Sequence, residues 1–403
     1  MELNDLLHRA VEARASDVHL KFGRPPMIRR DGSVTPLEGA DSLSQTQLES
    51  YLRTITSSVP NRQETFNTTG DLDIAYTADG LPRFRVNAFR QRGTISFALR
   101  VIPKDVPRFE QLGLPVGVRK LADEHRGLVL VTGATGSGKT TTLAAMIDYI
   151  NRTRQSHIVT IEDPIEILHP DHRSIVNQRE VGLDTADFGQ ALRRALRQDP
   201  DTILIGELRD AETAQTALQA AESGHLVFST LHTVDAAETI GRFVEFFPEG
   251  KQQLVRSVLA GVLRGIVSQR LLPSSQGGRV AAVEVMVANA RIADLIRENR
   301  PDEIPEAIAE GDFFHMQNFT QALIELVVTD RVDREIAANA ASNRHDFLVA
   351  LERAEKARAV KAATEAGRDD DRPTTLRPSA PAPAPATVAA QPALGLRVAP
   401  ANG

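Results

Sequence analysis

The sequence predicts an α/β protein, a parallel sheet with helices on both faces, preceded by a smaller α+β domain. Three observations carry this. Apolar runs at residues 128–132, 158–161, 203–205 and 226–230 alternate with helical stretches, the pattern of strands buried on both faces. Before residue 103 the apolar residues alternate with polar ones, and Asp31-Gly32 and Asp79-Gly80 interrupt them, as hairpin turns in an antiparallel sheet do. A glycine-rich phosphate-loop sequence stands directly after the first apolar run.

The elements follow in order. Leu3, Leu6, Leu7, Ala10 and Val11 recur at helical spacing, and residues 16–20 then alternate like a strand. Ile28-Arg29-Arg30 and Val34-Thr35 flank the first turn. Ser44 followed by Gln47 is a capping box that opens a helix towards Ile55. Residues 71–76 form a strand, and so do residues 83–88, with Phe84, Val86 and Ala88 on one face and Arg83, Arg85 and Asn87 on the other. Ile95, Phe97, Leu99 and Val101 repeat the pattern, completing a domain over 1–103. Pro103, Pro107 and Pro115 mark residues 104–115 as a linker. A nucleotide-binding domain is expected over 116–366, with helices dominating from 251 to about 358. Residues 367–403 are rich in Asp, Pro and Ala and lack the large apolar residues of a core, so a disordered tail is expected.

Bulk composition narrows the function. The net charge is −6 and aromatics make up 4% of the chain, which disfavours a nucleic-acid motor, since backbone contacts need a basic field and bases need stacking partners. Cysteine is absent, which removes disulfides and thiolate zinc sites and suits a reducing compartment. The first residues mix acids, bases and apolar groups without the order of a signal peptide. With no apolar run near the roughly 18 residues a membrane span needs, the reading is a cytoplasmic protein, recruited to a membrane by partners.

Four segments carry chemistry. Gly133-Ala134-Thr135-Gly136-Ser137-Gly138-Lys139-Thr140 matches G-x-x-x-x-G-K-[ST], with Thr141 next and an apolar strand before it. In such a loop backbone N–H groups converge on phosphate oxygens, Lys139 reaches the β- and γ-phosphates, and the Thr140 hydroxyl binds magnesium. This predicts ATP and Mg2+ as cofactors. The run 202–205 delivers Glu207 to a strand tip, where sheets of this kind hold ligands. Gly206 occupies the place of the usual aspartate, so Glu207 is expected to orient the attacking water. Glu162, Asp163 and Glu166 follow a third strand; they either hold magnesium through water or, for at least one of them, form only an acidic loop. His225 and His232 bracket the fourth strand, either sensing the γ-phosphate or serving as hydrogen-bonded structural groups.

These four elements in this order resemble the secretion/type IV pilus ATPase superfamily. Its Walker A, Asp box, atypical Walker B and His box appear as GATGSGKT, IEDPIE, DPDTILIGELRD and AAESGHLVFSTLHT, and the likeness runs from about residue 3 to residue 350. In the first domain, SDVHLKFGRPPMIRRDG and LPRFRVNAFRQRG look like family segments. The resemblance implies a RecA-like phosphate-loop domain behind a PAS-like one, a homohexameric ring, and nucleotide held between the two domains. It also implies help from N-domain arginines, by position Arg83, Arg85 and Arg90, with Glu166 and Lys139 joining Glu207 in catalysis.

Two segments favour the retraction branch of that family. Residues 290–298, ARIADLIRE, are similar to its AIRNLIRE stretch, departing in the Arg-Ile order and at Asp294; MQNFTQAL at 316–323 resembles its MQTFDQAL. The missing cysteines and short first domain separate the chain from assembly enzymes with a tetracysteine element. The expectation is a motor for pilus retraction, acting on an inner-membrane platform protein and indirectly on pilin. A pilus-assembly or type II secretion ATPase, or a slow nucleotide-gated regulator, is the alternative.

Overall fold

Two sheets organise the chain. The computed structural model describes residues 1–30, 32–57, 59–102 and 106–369. The first sheet has β1 (Asp17–Lys21), β2 (Met27–Arg30), β3 (Ser33–Pro36), β4 (Asp71–Tyr76), β5 (Phe84–Gln91) and β6 (Thr94–Val101). Its order is β3-β2-β1-β6-β5-β4, antiparallel throughout. Phe84, Val86 and Ala88 of β5 pack with Phe97 and Leu99 of β6 against the helices Leu3–Glu12 and Gln45–Thr56. The second of these carries the capping box, with Ser44 and Gln47 bonding each other's backbone. One helix, Pro60–Thr69, was not anticipated; its outer face is polar, so the sequence shows no apolar periodicity there.

The second sheet has β7 (Gly127–Thr132), β8 (His157–Glu162), β9 (Ile175–Glu180), β10 (Thr202–Ile205), β11 (Leu226–Leu231), β12 (Leu263–Pro273) and β13 (Arg279–Val287). The order is β13-β12-β7-β11-β10-β8-β9, parallel except for β13. Along β7, Leu128 and Leu130 enter one apolar cluster while Val129 and Val131 enter another on the opposite face. That two-sided burial is why the strand reads as an unbroken apolar run.

Helices dominate 251–358 as expected, but the β12–β13 hairpin interrupts them. Both strands are largely buried, and a buried strand cannot be told from a buried helix by periodicity alone. The signal was the intervening SSQGG turn, in which Gly277 and Gly278 adopt positive φ. Strand β9 was also unforeseen.

The chain divides into a unit Met1–Ala354 and a unit Glu355–Gly403. Within the first, one apolar cluster is drawn wholly from residues 3–99 and three others from 109–351. The junction expected at 103–104 lies outside the described residues. The expected linker includes a short helix, Phe109–Leu112, because buried Phe109 finds an edge-to-face partner in half-buried Tyr149, 5.5 Å between centroids. In the second unit, residues up to Asp369 continue the helix Arg344–Asp369; the tail expected from 367 otherwise lies outside the described residues.

Candidate nucleotide site

The phosphate loop joins β7 to the helix Lys139–Thr153. Gly133, Gly136 and Gly138 all have positive φ. At Gly133 an added Cβ would lie 2.5 Å from the Gln269 carbonyl oxygen and 2.5 Å from Ser137 Oγ, so only glycine fits this turn. Lys139 Nζ donates to the carbonyls of Gly133 and Ala134 at 2.8 and 3.2 Å, curling over the loop. Burial holds its ammonium pKa below the usual lysine value, an effect that Glu207 and Glu166 oppose. Ser137 Oγ is buried without a partner, an unsatisfied hydroxyl inside a loop built to receive phosphate oxygens.

Beside the loop opens a cleft of about 510 Å3, within the range of ligand pockets. It lies at the carboxyl ends of the parallel strands, where such sheets bind ligands. Thr135, Gly136, Gly138, Lys139, Thr140 and Thr141 form one wall. Glu162, Asp163, Glu166 and Glu207 bring carboxylates, and Arg85 enters from the first sheet.

Glu207 follows β10 and sits at the centre of a small network. It pairs with Arg209, and His232 Nε2 lies 3.5 Å from its other oxygen. Thr230 Oγ1 donates to the Gly206 carbonyl at 2.7 Å, fixing the turn that presents the glutamate.

The three acid-loop carboxylates differ. Glu162 is 9% exposed, and its Oε1 accepts from Thr160 Oγ1 at 2.6 Å and Gln178 Nε2 at 3.0 Å. Burial raises its pKa, so Glu162 is set to hold the loop rather than to offer a free charge. Asp163 is exposed and Glu166 half-exposed, and both line the cleft. Among the described residues no three acidic or histidine side chains gather as a metal cage. The donors fit magnesium all the same: that ion keeps several waters and takes substrate phosphates with one or two protein oxygens, and the Thr140 hydroxyl at the helix start would supply one.

Other expected residues stand elsewhere. Arg85 lines the cleft and pairs with Glu166 at 3.7 Å. Arg83 instead pairs with buried Glu180 at the end of β9, and Arg90 stacks on Phe66, 5.2 Å from the ring centroid; neither lines the cleft. His225 precedes β11 and His232 follows it. A strand of 6 residues at roughly 3.3 Å each separates them. His225 therefore belongs to the opposite rim, where its Nδ1 contacts Ser223 Oγ and the Ala220 carbonyl, both at 3.0 Å.

Several lining residues escaped the sequence reading. Arg100 and Arg279 bring further positive charge to the cleft. Leu271 packs beneath the loop, 3.6 Å from where a Gly138 Cβ would stand. His169, 8% exposed, lines the deep end, and burial lowers its pKa to about 4. These depend on tertiary contacts that no short motif records, whereas Arg209, the partner of Glu207, had a local signal two residues beyond it.

A family model described as "Type II/IV secretion system protein" matches residues 1–365. The chain belongs to this family. The type II/IV secretion match takes in both sheets and the helices that follow them. Among the family's members, a Pseudomonas aeruginosa protein named "Type IV pilus retractation ATPase PilT" is 44% identical over 347 residues, covering 86% of this chain and 100% of the relative. A Neisseria gonorrhoeae "Twitching motility protein" is 43% identical over 320 residues, covering 79% of this chain and 84% of the relative. A crystal structure of the pilus retraction motor PilT with bound ADP aligns with a TM-score of 0.81 at 44% identity, covering 86% of this chain and 98% of that one.

Proposed function

We propose that this chain is a hexameric ATP hydrolase that powers type IV pilus retraction, and with it twitching motility. The observation that carries the reading is the pairing of a phosphate loop with Glu207, a carboxylate at the tip of β10 steadied by Arg209 and His232. Similarity to a retraction ATPase over the whole length of that relative supports the direction of work.

The residues divide the task. Backbone N–H groups of the loop and Lys139 hold the β- and γ-phosphates, stabilising the charge that spreads over the transferred group. Magnesium, when bound beside Thr140, neutralises phosphate charge. Glu207 orients the attacking water and takes its proton, and His232 keeps the carboxylate in place. Glu166 and Arg85 close the cleft from the acid loop and the first sheet. Asp163 remains available to waters of the metal, while Glu162 supports the loop from behind.

No helix among the described residues is long and apolar enough to cross a membrane. Force therefore leaves the protein through partners: other copies of the chain in a ring, an inner-membrane platform protein, and through it pilin. The working place is the cytoplasm, at the inner face of that membrane.

The kinetic test is Glu207→Gln beside Lys139→Ala. The lysine variant should lose turnover through lost phosphate binding. The glutamine variant should still bind ATP yet turn over on the order of a hundredfold or more slowly, as removal of a water-positioning acid does. Near-normal turnover in Glu207→Gln removes it from the catalytic role. The cellular test is deletion: cells without the protein should keep surface pili and stop twitching, whereas bald cells would place it in assembly.

A further inference from the structure

A buried carboxylate stands behind the site, outside the cleft. Glu284 of β13 is 6% exposed, and its Oε1 accepts the Ala236 N–H at 2.9 Å. Ala236 opens the helix Ala236–Glu245, immediately after the loop that begins with His232. That loop is tied to the helix at three points. Asp235 accepts the Glu238 N–H at 2.9 Å, Glu238 accepts the Val234 N–H at 2.9 Å, and the hydroxyls of Thr233 and Thr239 lie 2.6 Å apart. The loop cannot shift without the helix start, and the helix start is held by Glu284.

The same carboxylate borders the phosphate loop's support. Its cross-strand partner on β12 is Ser268, which accepts from Thr132 Oγ1 at 3.0 Å, the last residue of β7. The next residue, Gln269, donates to Thr142 Oγ1 of the phosphate-loop helix at 2.9 Å. Arg270, on the face of β12 opposite Gln269 and shared with Ser268, stacks on Phe319 with 4.0 Å to the centroid and donates to the Ala340 carbonyl at 2.6 Å. Burial, helped by Asp235, raises the Glu284 pKa to about 7 against the opposing pull of the Ala236 amide, Arg270 and the Phe319 amide. Those are the charged groups acting on it.

We propose that the Glu284 carboxylate is a positioning residue for ATP hydrolysis, holding the Ala236 amide and so fixing the loop that aims His232 at Glu207. An ionised acceptor binds an N–H more strongly than a neutral one, so the charged form is the one that holds. The inference rests on the reading of Glu207 and His232 given above.

The experiment compares ATP turnover of the full chain across neutral pH with that of Glu284→Gln, an isosteric change that keeps an acceptor and loses the charge. In the unsubstituted protein kcat should rise through an inflection near pH 7 as Glu284 ionises. Glu284→Gln should lower kcat on the order of tenfold, as small misplacements of reacting groups do, leave KM for ATP nearly unchanged, and lack the inflection. Wild-type turnover, or reduced turnover with the inflection retained, would make Glu284 purely structural. Should the glutamine variant fail to fold, the neighbours decide. Asp235→Asn should move the inflection to lower pH and Arg270→Gln to higher pH; an inflection unmoved by both overturns the proposal. Full activity in Glu207→Gln would sink the underlying reading, whereas a retained inflection with Glu207→Gln inactive sinks this inference alone.

Discussion

Arg83 Nη2 lies 2.5 Å from Glu180 Oε2, joining the residue that precedes β5 to the last residue of β9 across the two sheets. The side chains are 14% and 5% exposed, and the same carboxylate oxygen accepts the Ile165 N–H of the acid loop at 3.2 Å. Two residues on, Arg85 meets Glu166 at 3.7 Å with both groups over 40% exposed.

The two arginines should therefore behave differently. Arg83→Ala strands a buried carboxylate and should cost about 3–5 kcal/mol of stability, as breaking a buried pair does. Arg85→Ala removes a solvated pair worth about 1 kcal/mol at most. Thermal melts should show a large fall for the first and almost none for the second. ATP titrations should show a raised KM for Arg85→Ala and not for Arg83→Ala, because of these two arginines Arg85 alone lines the cleft.

Gly133→Ala tests the loop's backbone. The new methyl would meet the Gln269 carbonyl oxygen and Ser137 Oγ, both at 2.5 Å, at a φ of +140°. The backbone atom cannot yield, so the loop must open. The variant should lose nucleotide binding in equilibrium titration. Retained ATP affinity would show that the loop tolerates a wider turn.

His169 should make stability depend on pH. Its pKa falls from 6.5 to about 4 in the folded chain because burial disfavours the cation. Below pH 6.5 the unfolded chain takes up a proton that the folded one refuses, so stability is full above that pH and is lost as pH falls towards 4. The loss should total on the order of 3 kcal/mol by the acid end of that window. Denaturant unfolding of the unsubstituted chain and His169→Gln at both ends of the window checks it. A glutamine variant with the same pH slope would assign the slope to other groups.

The segment 290–298 offers a separation of packing from coupling. Asn289 caps the helix Ala290–Arg297 by accepting the Ile292 N–H, and Ile292, Leu295 and Ile296 are buried. Arg291 and Arg297 face outward, paired with Glu310 at 2.5 Å and Asp294 at 2.7 Å. Leu295→Ala should lower stability by about 2–5 kcal/mol, the usual cost of emptying a core position, and lose ATPase activity along with motility. Arg291→Glu should leave the melting temperature and ATPase rate within error while twitching fails. Normal twitching in that variant would exclude this charged face from force transfer.

Much of this was legible in the sequence because the chemistry is local. The phosphate loop, Glu207 and the acid loop each follow a strand directly, and chain order carries them to one rim. The β12–β13 hairpin is not legible in the sequence because burial on both faces erases the alternation that marks a strand. Arg83, Arg85 and Arg90 share similar surroundings in the sequence, yet only Arg85 reaches the cleft. The difference lies in Glu180 and Phe66, partners 97 residues from Arg83 in the one case and in a polar, unforecast helix in the other. The site was readable where it is made of motifs and opaque where it is made of contacts.

The sorting of His232 and His225 to opposite rims has a practical side. All the chemistry gathers where the parallel strands end, and the rim where they begin is self-contained. There Asp201 Oδ2 accepts the His157 N–H at 2.8 Å and the His225 carbonyl accepts the Gly127 N–H at 2.9 Å. Exposed positions on that quiet rim, such as Gln198 and Glu222, are places to attach a fluorophore. With no native cysteine in the chain, one introduced thiol there would be labelled uniquely, and the probe would follow the sheet through a working cycle without entering the reaction.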